Sequence, residues 1–294
     1  NGFYWATVKG YRGSYLTAYN NGDYGVYAFD AVDGVLDHSY ATGSPDAGFY
    51  IGQCYPCDAI VNNVVSEYNG LGYSGTNSGG SLYITSSIFR NNKGGLAPNT
   101  LDSELLPPER ETFIIGNLIE NNNNYNSPAT NSTYLSYGNG VVIAGGNNNI
   151  IKNNVIVDHD LYGVILTASM DVNYWPAHGN RVEKNLILSS RKADIAVSGV
   201  SNLANCFEGN YFNTSIPPGL QALNGCEKNI IPLSADLSGL WSTIARLIYA
   251  NTGDFYQDDW RTLPAPDQQE NMPIMQEIID ANDNGQYELG FYQY

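Results

Sequence analysis

The sequence predicts an all-β solenoid, a stack of short coils held together by parallel strands, and three observations predict it. Strands that open after a small residue begin at Gly2, Gly25, Gly48, Gly72, Gly95, Gly140, Gly163 and Asp194, most of them about 23 residues apart. Self-similarity at a fixed period of about 20 to 50 residues marks stacked repeats. Composition points the same way: only 14% of residues are charged, while Gly (31) and Tyr (23) are abundant. Long helices draw on Ala, Leu, Glu and Lys, whereas Asn and Gly suit turns and Tyr suits strands. The unit is clearest in Gly140-Val-Val-Ile-Ala-Gly-Gly-Asn-Asn-Asn-Ile-Ile-Lys-Asn-Asn-Val-Ile, an apolar strand, an Asn-rich turn and a second strand carrying Asn154. Val182-Glu-Lys-Asn-Leu-Ile repeats the second strand with Asn185 in the same place.

The first strand of each unit alternates with period 2, which places Val26/Ala28, Phe49/Ile51, Tyr73/Gly75, Leu96/Pro98, Val141/Ile143, Val164/Leu166 and Ile195/Val197 inward and their neighbours outward. A second strand follows, with a small polar residue at Ser14, Ser39, Asn63, Ser87, Asn117, Asn154, Asn185 and Asn210. Coils stacked at about 4.8 Å would align these side chains into a ladder that pairs turn backbone otherwise buried without partners. Asn121 to Asn124 and Asn147 to Asn149 read as turn residues.

Two insertions break the period. Between Gly95 and Gly140 the chain adds the stretch from Pro98 to Arg110 and the loop from Tyr125 to Tyr137; between Gly163 and Asp194 it adds Ser169 to His178. Loops that leave a solenoid on one face are often its binding face. The solenoid spans residues 1–230 in about eight coils, and residues 231–294 form a partly helical extension. There Trp241 to Ala250 and Met275 to Ala281 read as helical, with Pro264-Ala-Pro as linker. An open solenoid end exposes core and strand edges, so this extension is expected to cap or wrap the stack. The N-terminal end has no comparable cover and is left for an assembly partner.

Thirteen basic against 29 acidic side chains give a formal charge of −16, which repels nucleic acid and anionic lipid. No apolar run approaches the roughly 20 residues needed to span a bilayer. The chain begins without Met, inside the repeat, as a processed or truncated chain would. Four cysteines and the sequons at Asn131 and Asn213 fit a secreted, periplasmic or cell-surface protein. Cys54 and Cys57 belong to one coil, and Cys206 lies five coils further on. That is about 24 Å away, too far for a bridge. The expected pairs are Cys54–Cys57 and Cys206–Cys226.

With its coils, Asn/Ser ladder and the runs Gly43-Ser-Pro-Asp-Ala-Gly-Phe-Tyr-Ile-Gly-Gln-Cys-Tyr-Pro-Cys and Tyr73-Ser-Gly-Thr-Asn-Ser-Gly-Gly, the chain resembles right-handed parallel β-helix proteins. It is similar to the pectate-lyase-like superfamily and to secreted bacterial parallel-β-helix-repeat proteins of unassigned activity. The resemblance covers roughly residues 1–230 and implies a fold far more firmly than a chemistry.

Two functional readings stand. The first is a secreted or cell-surface scaffold whose outer face binds a polysaccharide or a partner protein. Tyr4, Tyr27 and Tyr50 share one outward position in successive coils, with Phe29 beside them, and Asn99, Trp175 and His178 join them as candidate sugar contacts. The alternative is a polysaccharide lyase or epimerase acting on an acidic polysaccharide through Asp102, Glu104, Glu109 and Arg110. Carboxylates there could hold Ca²⁺ against a uronate while Arg110 removes the proton α to its carboxyl group. Hydrolysis would instead need two carboxyl groups about 5 to 9 Å apart, such as Asp102 with Asp46 or Asp171. No His/Cys spacing matches a zinc site.

Overall fold

The computed structural model describes residues 1–130, 133–198, 204–227, 248, 262 and 264–265. Apart from those last isolated positions, the expected C-terminal extension lies outside the described residues, as does Asn131; Asn213 is exposed on the last coil. The chain is a parallel β-helix. Three parallel sheets of nine, eight and seven strands run the length of the stack, each pairing a strand with its counterpart one coil away. In the nine-stranded sheet the inward column runs Phe3, Val26, Phe49, Tyr73, Leu96, Val141, Val164 and Ile195 in unbroken register. Every residue of that column from Val26 onward is at most 1% exposed, and each fully buried aliphatic side chain contributes about 1.5–3 kcal/mol.

The segment read as one second strand is two. Ile150–Lys152 lies in the eight-stranded sheet and Val155–Val157 in the seven-stranded one. Between them Asn153 adopts φ 54°, and Tyr15, His38, Asn63, Ser86 and Lys184 take the same left-handed conformation at the equivalent corner. One left-handed residue turns the chain sharply without a longer loop.

The residue after that corner carries the ladder. Asn154 Oδ1 accepts the backbone N–H of Asn117 at 2.9 Å, Asn185 Oδ1 accepts that of Asn154, and Asn210 Oδ1 accepts that of Asn185. Ser39, Ser87 and Asn117 fill the same role for Leu16, Val64 and Ser87. Ser14 and Asn63 do not belong to it. Ser14 ends the strand Lys9–Ser14, and Asn63 is itself a left-handed corner residue. The true ladder positions in those coils are Leu16 and Val64, whose apolar side chains hid the column from the sequence pattern.

Two further columns take in Asn122 and Asn149, both expected to be turn positions, with asparagines not singled out in the sequence. Asn69, Asn92 and Asn122 accept the backbone N–H groups of Ser44, Asn69 and Asn92, and Asn122 meets the buried His159. Asn149, Asn180 and Asn205 accept those of Thr112, Asn149 and Asn180. Asn122 and Asn149 are therefore fully buried corner residues rather than solvated ones.

Both bridges are formed, Cys54–Cys57 and Cys206–Cys226. The second closes the described C-terminal end, where the short helix Leu220–Leu223 turns back over the last coil. Leu220 is fully buried, Phe207 N–H donates to Asn224 O, and Gln221 Oε1 receives the N–H of Asn210, terminating the first ladder. Of the isolated tail residues, Pro264 accepts a hydrogen bond from Asn20 Nδ2. Among the described residues no helix is long and apolar enough to cross a membrane.

Replacing Asn154 by Leu leaves the Asn117 N–H without its acceptor and takes a side-chain donor from the Ile114 carbonyl, and a buried unpaired polar group costs about 1–3 kcal/mol. We expect Asn154→Leu to lose at least that much in urea denaturation, whereas Ser14→Ala changes stability by less than about 0.5 kcal/mol. Equal midpoints for the two variants would contradict the assignment of the column.

Candidate functional site

The outer face of the nine-stranded sheet carries the strongest candidate, because aromatic rings, carboxyl groups and both insertions converge there. Tyr4, Tyr27 and Tyr50 occupy one outward column, paired residue to residue across three strands. Their rings stack at 5.2 and 4.5 Å between centroids, with Phe29 parallel to Tyr27 at 6.0 Å. Exposure falls along the stack from 58% at Tyr4 to 1% at Tyr50. The exposed end is a platform, and the buried end is sealed by chemistry.

The seal is Glu104. Tyr50 OH donates to Glu104 Oε1 at 2.7 Å, while Glu104 Oε2 has no hydrogen-bond partner. Tyr24 leans against Tyr27 and Tyr50 at 4.6 and 4.9 Å, with Asp46 and Asp23 beside it. Burial pushes Glu104 up to about 7. Burial also pushes Asp46 up to about 7, with the nearby charges of Asp23 and Glu104 adding to the rise. Two carboxyl groups next to a sugar-sized aromatic platform are thus held half-protonated near neutrality, a pattern frequent at catalytic sites.

The four insertion residues singled out in the sequence go to four different places. Asp102 stays at the surface, accepting hydrogen bonds from Asn173 N, Asn173 Nδ2 and Trp175 Nε1. Glu104 reaches back over Tyr50. Glu109 turns into the solenoid interior, where it is fully buried, accepting from Thr112 Oγ1 at 2.8 Å and Asn149 Nδ2 at 2.7 Å. Arg110 lies flat on the Tyr55 ring at 3.6 Å, and its Nη1 donates to the carbonyls of Leu106 and Pro108. Its guanidinium is committed to that ring and those carbonyls, so Arg110 is not placed to act as the base expected of it. Asp171 is no catalytic partner for Asp102 either, since it accepts the Asp102 backbone N–H at 2.8 Å.

Asn99 spends both ends of its carboxamide on protein, receiving Thr76 Oγ1 and donating to Ala97 O. Trp175 is half-buried in the antiparallel hairpin formed by Ser169–Met170 and Tyr174–Trp175, and His178 is exposed just beyond it. Asp23 and Tyr24 were not singled out by sequence reasoning. The available signal was that Asp23-Tyr24 immediately precedes the strand Val26–Phe29, in the turn that flanks the aromatic column. Asp46 was named only as a pair for Asp102; the carboxyl groups whose charges add to its rise are Asp23 and, less, Glu104.

Among the described residues one group of three possible metal ligands lies within 4.8 Å, Glu183 with Cys206 and Cys226, and both sulfurs are committed to their disulfide. Asp102, Glu104 and Glu109 do not gather into a Ca²⁺ site. His159 is fully buried and pushed down to about 3 by burial, so it is neutral.

Solved structures share the architecture. A double mutant of the periplasmic alginate epimerase AlgG matches with a TM-score of 0.56 at 13% identity, over 71% of this chain and 47% of that one. A single mutant of the same epimerase matches at 0.52 and 14%, with the same coverage. The likeness is one of fold. This chain spans about half the length of the AlgG chains it matches. No family model matches the sequence, and no curated protein matches it.

Glu109 yields a test of the interior. Its folded-state value, about 8, lies above the ordinary 4.5, so the fold favours the protonated form. That contribution is full below about pH 4.5 and is lost as pH rises through 8. Glu109→Gln keeps an acceptor and a donor there but cannot ionise. The stability difference, variant minus wild type, should grow steadily in favour of the variant in urea melts at pH 5, 7 and 9; a difference independent of pH would show that Glu109 is not buried as described.

Proposed function

We propose that the protein is a carbohydrate-active enzyme that works on a polysaccharide laid across the outer face of the nine-stranded sheet, with Glu104 and Asp46 as proton-transfer groups. The observation that carries this reading is the Tyr50–Glu104 pair at the closed end of the aromatic stack. Tyr4, at the open end of the stack, offers a ring face to a sugar ring, Tyr27 and Phe29 offer ring edges beside it, and the stack leads to a carboxyl whose second oxygen has no protein partner.

Chemistry of the lyase or epimerase type suits the pair. One carboxylate, ionised, takes the proton from the carbon α to a uronate carboxyl group; the other, protonated, donates a hydrogen bond to that substrate carboxylate and limits the charge built up on it. A proton delivered to the opposite face by the second carboxyl inverts the carbon and leaves the two carboxyls with exchanged protonation. Loss of the glycosidic oxygen from the adjacent carbon, protonated as it leaves by one of the two carboxyl groups, instead leaves an unsaturated end. Alginate, the polymer named for the AlgG epimerases, is the first uronate polymer to try. Two disulfides fit a site outside the cytoplasm. The scaffold reading uses the same platform for binding without turnover.

Because the mechanism needs one carboxyl ionised and one protonated, and both lie at about 7, activity should be bell-shaped around neutrality. A rising limb reflects ionisation of the base, and the falling limb reflects loss of the last proton together with repulsion of a polyanion. Glu104→Gln should lower kcat by about 10²–10⁴-fold, read as unsaturated ends by absorbance or uronate inversion by NMR. A glycan panel bound by the wild type, released by Tyr27→Ala and never converted would leave the scaffold reading in its place.

A further inference from the structure

We infer that Asp102 is a positioning residue: it latches the Ser169–Trp175 hairpin onto the loop 100–109 and so holds the Glu104 carboxyl over Tyr50. Its importance for turnover rests on the reading of Glu104 given above, while the latch itself stands on geometry alone.

Between Thr100 and Glu109, whose backbones still pair with Ala144 and Asn147, the loop is fastened by side chains. On one side Asn77 Nδ2 donates to the carbonyls of Leu101 (2.7 Å) and Glu104 (2.8 Å), Asn77 Oδ1 accepts from Leu101 N, and Gln53 Oε1 accepts from Leu105 N at 2.9 Å. These bonds set the path of the backbone across the preceding coils. On the other side the two ends of the loop are tied to the next coil, Thr100 N and Oγ1 donating to the carbonyls of Ala144 and Gly145 and Glu109 O accepting from Asn147 N, and between those ends the contact with the hairpin passes through Asp102. Its Oδ2 accepts from Asn173 N (2.7 Å), its Oδ1 accepts from Asn173 Nδ2 (2.7 Å) and Trp175 Nε1 (3.2 Å), and its own N–H donates to Asp171 Oδ2 (2.8 Å). Four hydrogen bonds thus join two insertions that lie 69 to 73 residues apart in sequence.

The hairpin is itself seated on the solenoid. A methyl group added at Gly145, just past the strand Asn139–Ala144, would sit 2.9 Å from Trp175 Cβ, so the backbone there is closely packed against the hairpin. Support therefore runs from that strand to the hairpin, from the hairpin to Asp102, and from Asp102 across Ser103 to Glu104. Acceptance of three donors by one carboxylate pulls Asp102 below the usual carboxylate range, which keeps it ionised and the latch closed through the range in which Glu104 titrates. Without the latch the loop keeps its Asn77 and Gln53 anchors and its ends at Thr100 and Glu109, but the segment that carries Glu104 loses its brace on the hairpin. The Glu104 carboxyl then gains access to water.

The Glu104 titration reads this directly. The groups that face it are Tyr50, Tyr27 and Asp46, and none of them contacts Asp102. In side-chain ¹³C NMR, with the signal assigned through Glu104→Gln, the wild type should titrate near 7. Asp102→Ala should lower the midpoint by about one pH unit or more as the carboxyl is rehydrated, and amide exchange at Asn173 should accelerate about tenfold or more. Trp175→Phe, which removes one of the three donors, should give a smaller shift in the same direction. Faster exchange at Asn173 with an unmoved Glu104 midpoint would overturn the positioning role, and unchanged exchange would overturn the latch. Neither measurement uses a glycan, so a wild-type protein that converts none defeats the catalytic reading of Glu104 without touching this result.

Discussion

The rest of the structure depends on the corners of its coils, where the chain passes from one sheet to the next and backbone N–H groups point inward with no strand beside them. An unpaired buried amide costs about 1–3 kcal/mol, and a solenoid repeats that cost in every coil. The corner asparagines meet it from one coil away. Asn154 accepts the N–H of Asn117 and returns its own Nδ2 to the carbonyl of Ile114, and Asn185 does the same for Asn154 and Ile151. Since each amide reaches back to a fixed partner, the columns also lock the register. A slip of one residue would remove every Asn from its partner and turn the inward column of Val26, Phe49 and Leu96 to the outside.

Much of this was legible in the sequence because it repeats. The inward column and the ladder from Ser87 to Asn210 recur at positions the period marks out, so a handful of coils identifies them. Repetition fails where a coil substitutes a residue of another kind. Leu16 and Val64 stand at ladder positions, and the pattern slid onto the nearest small polar neighbours, Ser14 and Asn63. It also fails where composition is ambiguous. Asn122 and Asn149 sit in Asn-rich runs that suit a solvated turn as well as a buried corner, and only the coils stacked on either side of them distinguish the two.

The insertions carry no period, and there sequence proximity misled. Asp102, Glu104, Glu109 and Arg110 lie within nine residues, yet an irregular loop sends each side chain in its own direction. Glu109 had a local signature: it rejoins the coil between Ser78 below and Gly146 above, and a methyl group at Gly146 would come within 1.9 Å of its Oε2. Small residues on both sides of an acid in adjacent coils leave it room to turn inward. Arg110 had none, because its ring partner Tyr55 comes from a corner two coils earlier.

A comparison of two buried carboxyl groups shows what separates structure from chemistry. Burial raises Glu104 and Glu109 alike, so the shift alone does not say which of them acts on a substrate. Glu109 has both oxygens occupied, by Thr112 and Asn149, and is sealed inside the solenoid. Its raised value reflects only the difficulty of holding a charge there. Glu104 commits one oxygen to Tyr50 and leaves the other, itself buried, without a protein partner, beside an aromatic stack that opens to solvent at Tyr4. A proton-transfer group must keep a lone pair for the atom it serves and a path by which that atom arrives. Glu104 meets the first of these where Glu109 does not, and a loop built on a rigid stack is what allows it to: the corners absorb the cost of folding, and the insertion is left to place one carboxyl.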